Sequence, residues 1–200
     1  MLTDKPRYEY RAWDEAFPDL PQPSAEPWEE ETYLIPLGML SRNIKIRNDA
    51  LEIKEMLADR NGLELWHLSA RLEFPIPALT LERELMVLLK IGQPLRHERY
   101  GPREIMEDIV APRRNVVAIP LRKRRHLYEV AGCRAETAEI ELQGQRLMTA
   151  AAEHEEAERV LEAVQLMGLD RHPNASYPIA LTRLLPEAMA GHLHEARGGG

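Results

Sequence analysis

The sequence predicts an α+β fold in which a meander of antiparallel strands is covered by helices. Two observations carry this. Between Asn43 and Phe74 charged and apolar residues alternate, which is the period of a β-strand. Between Glu153 and Met167 the apolar residues fall instead at the helical period.

Arg7 to Trp13 reads as the first strand, and the four prolines between Phe17 and Pro27 make the next stretch a surface connection. Thr32 to Leu37, Asn43 to Arg47 and Leu51 to Leu57 follow as strands, with a turn at Asn48-Asp49. Asn61-Gly62 marks the next turn. Leu63 to Phe74 is the longest strand, placing Trp66, Leu68, Ala70, Leu72 and Phe74 on one face and His67, Ser69, Arg71 and Glu73 on the other. Pro75 and Pro77 stop it.

Thr80 is expected to open a helix over residues 80–91, with Leu81, Leu85, Leu88 and Leu89 inward and Gly92 at its end. Residues 93–112 read as a loop with a short helix around Arg103 to Val110. Val116 to Arg125, interrupted by Pro120, is a strand, and Tyr128 to Leu142 and Arg146 to Glu153 read as further strands, with Gly132 and Gln143-Gly144 at turns. The amphipathic helix to Met167 would bury Ala157, Val160, Leu161, Val164 and Met167. A final helix spans Asn174 to Leu185, capped by Ser176. A single domain is expected, with its core over residues 5–187 and a flexible tail over 188–200 that holds His192 and His194.

Composition narrows the function classes. Asp plus Glu number 33 against 26 Lys plus Arg, a formal net charge of −7, which opposes bulk attraction to nucleic acid or an anionic membrane. Cys133 is the single cysteine, so neither an internal disulfide nor a cysteine-based zinc site is available, and a cytoplasmic location is the expectation. The first residues carry no apolar run of the ~7–15 residues that a secretory signal uses, and no stretch reaches the ~18–20 of a membrane helix.

Against this acidic background the basic residues cluster by face. Lys45 and Arg47 share one face of their strand, and Lys123 and Arg125 repeat the spacing far along the chain. On one strand such alternation is equally a solvated sheet face; its recurrence on separated strands favours a shared surface that wants an anion. If those strands close with their basic residues inward, like charges ~4 Å apart repel by several kcal/mol at an effective dielectric of about 20. Interleaved carboxylates such as Glu9, Glu73 and Glu153 would relieve that repulsion. His67, on the polar side of its strand, is a candidate phosphate contact or a hydrogen-bonded structural residue.

Several segments then match a known order. Arg7-Tyr8-Glu9-Tyr10-Arg11, Lys45-Ile46-Arg47 with Leu51-Glu52-Ile53-Lys54, Arg71-Leu72-Glu73, Lys123-Arg124-Arg125, Ala150-Ala151-Ala152-Glu153 and Asn174-Ala175-Ser176-Tyr177 follow one another as do the motifs of the CYTH superfamily, the triphosphate tunnel metalloenzymes. The chain resembles that family over roughly residues 5–187. The resemblance implies a closed antiparallel barrel of about eight strands with helices packed outside. It implies that Arg11, Lys45, Arg47, Lys54, Arg71, Lys123 and Arg125 hold a triphosphate, and that Glu9, Glu73, Glu136 and Glu153 hold Mg²⁺ or Mn²⁺. Glu136 is favoured for its place after Gly132-Cys133, whereas alternation groups Glu139 with Glu141.

The activity implied is metal-dependent hydrolysis of a triphosphate compound or of inorganic polyphosphate, on a small polyanionic partner rather than nucleic acid or membrane. The acidic motifs depart from the family: two Glu-x-Glu pairs have become Arg-x-Glu and one has become Ala-x-Glu. The alternative is therefore a non-catalytic module that binds a phosphorylated ligand.

Overall fold

The computed structural model describes residues 5–184. Eight antiparallel strands form its frame: β1 (Arg7–Asp14), β2 (Glu29–Pro36), β3 (Arg42–Arg47), β4 (Ala50–Arg60), β5 (Leu63–Glu73), β6 (Val116–Val130), β7 (Cys133–Leu142) and β8 (Gln145–His154). They close into a barrel in the order β1-β8-β7-β6-β2-β3-β4-β5. The hairpins turn where expected. Asn61 and Gly62, at φ 55° and 77°, supply the two left-handed residues that a tight two-residue hairpin needs.

Strand lengths differ from the sequence reading at both ends of the site. β2 begins at Glu29 rather than Thr32, because Glu29, Glu30 and Glu31 pair with Lys123, Arg122 and Leu121 of β6. β6 runs through Pro120, which faces Thr32 of β2 at a point where β7 pairing has not begun, so the missing N–H disrupts no ladder on that side.

The largest correction concerns β5. Lys54 pairs with Leu68 and Ile53 with Ala70, so Ser69 is an extra residue in β5, a bulge that reverses the facing of everything after it. The Ser69 hydroxyl donates to the Ile53 carbonyl at 3.0 Å. Trp66 and Leu68 therefore face the barrel interior, whereas Ala70, Leu72 and Phe74 join the outer core. The apolar stripe read from Trp66 to Phe74 is not one face but two halves of opposite faces.

Helices cover two outer faces. α1 (Ala78–Leu81), continued by a π-helical turn over Glu82–Met86, and α2 (Pro102–Glu104), continued by a second such turn over Ile105–Val110, bury Leu81, Leu85, Ile105 and Ile109, with Tyr100 between them in the chain, against Leu34, Ile44, Leu51 and Ile53. α1 starts at Ala78 instead of Thr80, because the Ala78 amide donates to Glu98 across a short ladder of Ile76–Pro77 with Arg99–Tyr100. α3 (Ala157–Leu166) lies on Ala12, Ala135, Ala150 and Ala152, whose short side chains let it approach closely. It buries Val160, Ala163 and Val164, while Leu161, expected inside, is 40% exposed.

α4 (Tyr177–Leu184) differs from the other helices. Its Tyr177 and Leu181 pack on Tyr33, Ile35, Val117, Ile119, Ala138 and Ile140, the inward-facing residues of β2, β6 and β7, and so fill one end of the barrel. The segment before it closes a seam. β1 and β5 pair only over Arg7–Glu9 and Glu64–Trp66. Beyond that point the Ala175 amide donates to the Arg11 carbonyl at 2.9 Å, and Asn174 Nδ2 donates to the Gly62 carbonyl at 2.9 Å. The expected tail, with His192 and His194, and the last residue of the expected final helix lie outside the described residues. Among the described residues no helix is long and apolar enough to cross a membrane.

Candidate functional site

With one end filled, the barrel interior is a one-ended cavity of about 260 Å³. Alternation in β1, β3, β4 and β6 turns Arg11, Lys45, Arg47, Lys54, Lys123 and Arg125 into it, and Lys5, Arg7 and Arg134 line its other parts. Four carboxylates share the wall: Glu9, Glu52, Glu136 and Glu153. Nine basic side chains and four acidic ones line the wall, and behind it Glu31 pairs with Lys45 and Arg47, Glu26 and Glu29 with Arg125, and Glu155 with Lys5.

Each of these carboxylates stands between two or more cations. Glu9 accepts from Arg11 Nε at 2.9 Å and lies close enough to Lys54 to feel its charge. Glu136 accepts from Arg11 Nη1 at 2.8 Å and from Lys123 Nζ at 3.1 Å. Glu153 lies between Arg7 at 3.3 Å and Arg134 at 3.1 Å. Glu52 accepts from Arg47 Nε at 2.9 Å and from Arg71, with Lys45 Nζ at 3.7 Å. Burial alone would push Glu9 and Glu136 up, but the cations outweigh it: Arg11 and Lys54 hold Glu9 below its ordinary value, and Lys123 and Arg11 hold Glu136 well below.

The floor is aromatic. Tyr33 and Tyr177 stack with ring centroids 4.8 Å apart. Arg11 and Lys123 each lie 4.8 Å from the Tyr177 ring centre, and Lys45 lies 5.8 Å from that of Tyr33. Under Lys45 sits Glu31, 1% exposed, which accepts from the Tyr33 hydroxyl at 2.8 Å and lies 3.8 Å from Lys45 and 3.5 Å from Arg47. Burial opposes its ionisation, yet Lys45 and Lys123 hold it down to about 2. Burial drags Lys45 the other way, with Arg47 and Lys123 adding repulsion that Glu31 and Glu52 only partly offset, and its ammonium is pulled down to about 7. The Tyr177 hydroxyl is buried and has no hydrogen-bond partner among the described residues.

Of the residues singled out from sequence, three do not line the cavity. Glu73 follows the bulge to the end of β5 and lies in a shallow depression with Ile76, Pro77 and Thr80. Arg71 lines that same depression and touches the cavity only through Glu52. His67 takes the face opposite Trp66 and Leu68 and does not line the cavity either. Glu136 lines the cavity, whereas Glu139 and Glu141 pair with Arg124 and Arg122 on the outside. Sequence reasoning missed Glu31, Glu52, Glu64, Tyr33 and Tyr177. Glu64, 4% exposed, accepts from Trp66 Nε1 at 2.9 Å, and burial raises its carboxyl above the usual range.

Mg²⁺ or Mn²⁺ is the ion that the resemblance implies, and these residues do not fit it as a preformed centre. Among the described residues no group of three or more His, Cys, Asp or Glu side chains is arranged around a common point. The cavity carboxylates already share guanidinium and ammonium partners at hydrogen-bond distance.

No family model matches this chain, and no curated protein matches it either. Solved structures do. HpAC1 from Hippeastrum, proposed to be an adenylyl cyclase and described as having a dominant triphosphatase activity, is 15% identical, with 88% of this chain and 95% of that one covered and a TM-score of 0.46. A protein from Bacillus halodurans, proposed to be an adenylate cyclase, is 10% identical, with 75% and 79% covered and a TM-score of 0.43. The closed eight-stranded antiparallel barrel described above is itself the architecture that the CYTH resemblance implies.

Proposed function

We propose that the barrel binds a linear triphosphate group, carried by a triphosphate compound or by inorganic polyphosphate. The convergence of nine basic side chains on one closed-ended cavity carries this reading. A polyanion relieves the repulsion among these cations, and several phosphoryl groups in a row match cations contributed by β1, β3, β4 and β6 better than a single anion does. The buried Tyr177 hydroxyl, without a hydrogen-bond partner among the described residues, supports this reading, because a ligand oxygen that reached the floor would satisfy it. The cavity volume, below the ~300–1,000 Å³ of drug-sized sites, suits a small chain of phosphates.

Hydrolysis of the bound compound is the second reading. Arg11, Lys45 and Lys123 gather, all three buried, over the stacked tyrosines, and fixed buried cations are strong stabilisers of charge developing on phosphoryl oxygens. Phosphate release from tripolyphosphate, long-chain polyphosphate and ATP, each with and without Mg²⁺ and Mn²⁺, separates the two. Release from any of them makes the protein a phosphohydrolase. Binding without release leaves it a phosphorylated-ligand module, and absence of both removes the proposal.

A further inference from the structure

We propose that Arg11 is the built-in counter-cation of the cavity's carboxylates, so that the protein binds its polyanion without a divalent ion. This rests on the triphosphate-binding reading above and adds to it how the ligand's charge is met.

The guanidinium of Arg11 stands between the carboxylates of two strands. Its Nε donates to Glu9 Oε1 of β1 at 2.9 Å and its Nη1 to Glu136 Oε1 of β7 at 2.8 Å. Nη1 also donates to Thr149 Oγ1 of β8 at 3.3 Å, and Thr149 in turn donates to the Ala12 carbonyl at 2.8 Å. The backbone is held as firmly: the Arg11 amide donates to Asn174 Oδ1 at 2.8 Å, and the Arg11 carbonyl accepts from Ala175 at 2.9 Å. The residue is 7% exposed. It is therefore a fixed, permanently charged group in the position from which a metal would have to neutralise the same two acids.

A divalent ion cannot simply be added there. Mg²⁺ needs its carboxylate oxygens at ~2.0–2.1 Å in near-octahedral geometry, with waters filling the remaining positions. Glu136 Oε1 already accepts from both Arg11 and Lys123. A dication bound to Glu9 and Glu136 would sit against both of those cations, and expelling Arg11 would strand a buried guanidinium without its partners. The rim repeats the arrangement, with Glu153 held between Arg7 and Arg134. Loss of acids from the Glu-x-Glu motifs and occupation of Glu9 and Glu153 by arginine thus point the same way.

Calorimetric titration of the full chain with sodium tripolyphosphate at low ionic strength, once in EDTA and once in excess Mg²⁺, tests this. The affinity in EDTA should equal or exceed that in Mg²⁺, which masks ligand charge. Binding seen only with Mg²⁺, or tighter by about tenfold or more with it, overturns the inference and leaves the triphosphate reading standing. Binding in neither condition removes both. A second arm follows free Mn²⁺ by electron paramagnetic resonance with no phosphate present. The wild-type chain should leave the free-ion signal unchanged, and Arg11→Met, which vacates the Glu9–Glu136 pair, should deplete it. Depletion by the wild type, or none by a folded Arg11→Met, contradicts the role given to Arg11. If circular dichroism shows that the variant does not fold, the wild-type measurements decide alone.

Discussion

The main-chain amide of Arg11 donates to the side-chain oxygen of Asn174 at 2.8 Å. The residue nearest the centre of the cavity's charge network is thereby tied to the segment that leads into the barrel-filling helix. Asn174 also reaches the Gly62 carbonyl at the β4–β5 turn, so one side chain bridges the seam where β1 and β5 part. Asn174→Ala removes both bonds and leaves the amide of the buried Arg11 without its acceptor. Urea unfolding should show a loss of about 1–3 kcal/mol, with a parallel loss of tripolyphosphate affinity. Unchanged stability would mean that the seam is held by other contacts.

Lys54 offers the cleanest separation of binding from folding. It lines the cavity and makes no salt bridge within 4.0 Å among the described residues, unlike Lys45 and Lys123, whose ion pairs are buried. Lys54→Ala should weaken tripolyphosphate binding by about tenfold while stability stays within ~0.5 kcal/mol. Arg71→Ala, which lies beyond the cavity wall, should weaken binding less than Lys54→Ala. The reverse order would place the ligand toward the open end of β5.

Tyr177→Phe should divide the same two quantities in another way. The hydroxyl has no hydrogen-bond partner among the described residues, so removing it leaves none of their groups newly unsatisfied, and stability should hold or rise. If the hydroxyl donates to a bound phosphate, affinity falls by about fivefold to tenfold, the worth of ~1–1.5 kcal/mol. Equal affinity in the variant would place the ligand above the floor.

Binding should depend on pH through Lys45. Its ammonium, pulled down to about 7 in the free protein, is favoured again when an anion arrives, so complex formation takes up a proton above that pH. Affinity should be full below pH 7 and fall as pH rises through and beyond it, by up to about tenfold per unit. Lys45→Arg, which keeps its charge throughout, should flatten the profile. A wild-type profile that is already flat would mean that Lys45 does not face the ligand.

Much of this arrangement was legible in the sequence. Period-two alternation of charge placed Lys45, Arg47, Lys123 and Arg125 on shared faces, and the paired turn residues Asn48-Asp49 and Asn61-Gly62 fixed the hairpins between β3, β4 and β5. The bulge at Ser69 was not legible, because a single inserted residue leaves the local alternation intact while reversing the face: it turns Trp66 and Leu68 inward on the same side as Arg71, the partner of Glu52, and only their place at the end of β5 keeps Arg71 and Glu73 off the cavity wall. Glu31 lies in a run of three glutamates that reads as solvated chain until β6 supplies its partner strand. Glu52 was in view beside Lys54, but only closure of the barrel sets it against Lys45, Arg47 and Arg71. The apolar residues of α4 gave no sign that its face meets the barrel interior, since a helix covering an outer face would show the same spacing.

The central claim is that the interior cavity is a polyanion site, and a calorimetric titration with tripolyphosphate across ionic strength tests it most directly. The account predicts binding to a single site at ~10 mM salt and a loss of affinity of about tenfold or more by ~150 mM, as screening shortens from ~30 Å to ~8 Å. It also predicts that orthophosphate binds more weakly at every salt concentration, because it spans fewer of the cavity's cations. No heat and no thermal stabilisation at low salt, or orthophosphate binding as tightly as tripolyphosphate, would contradict it.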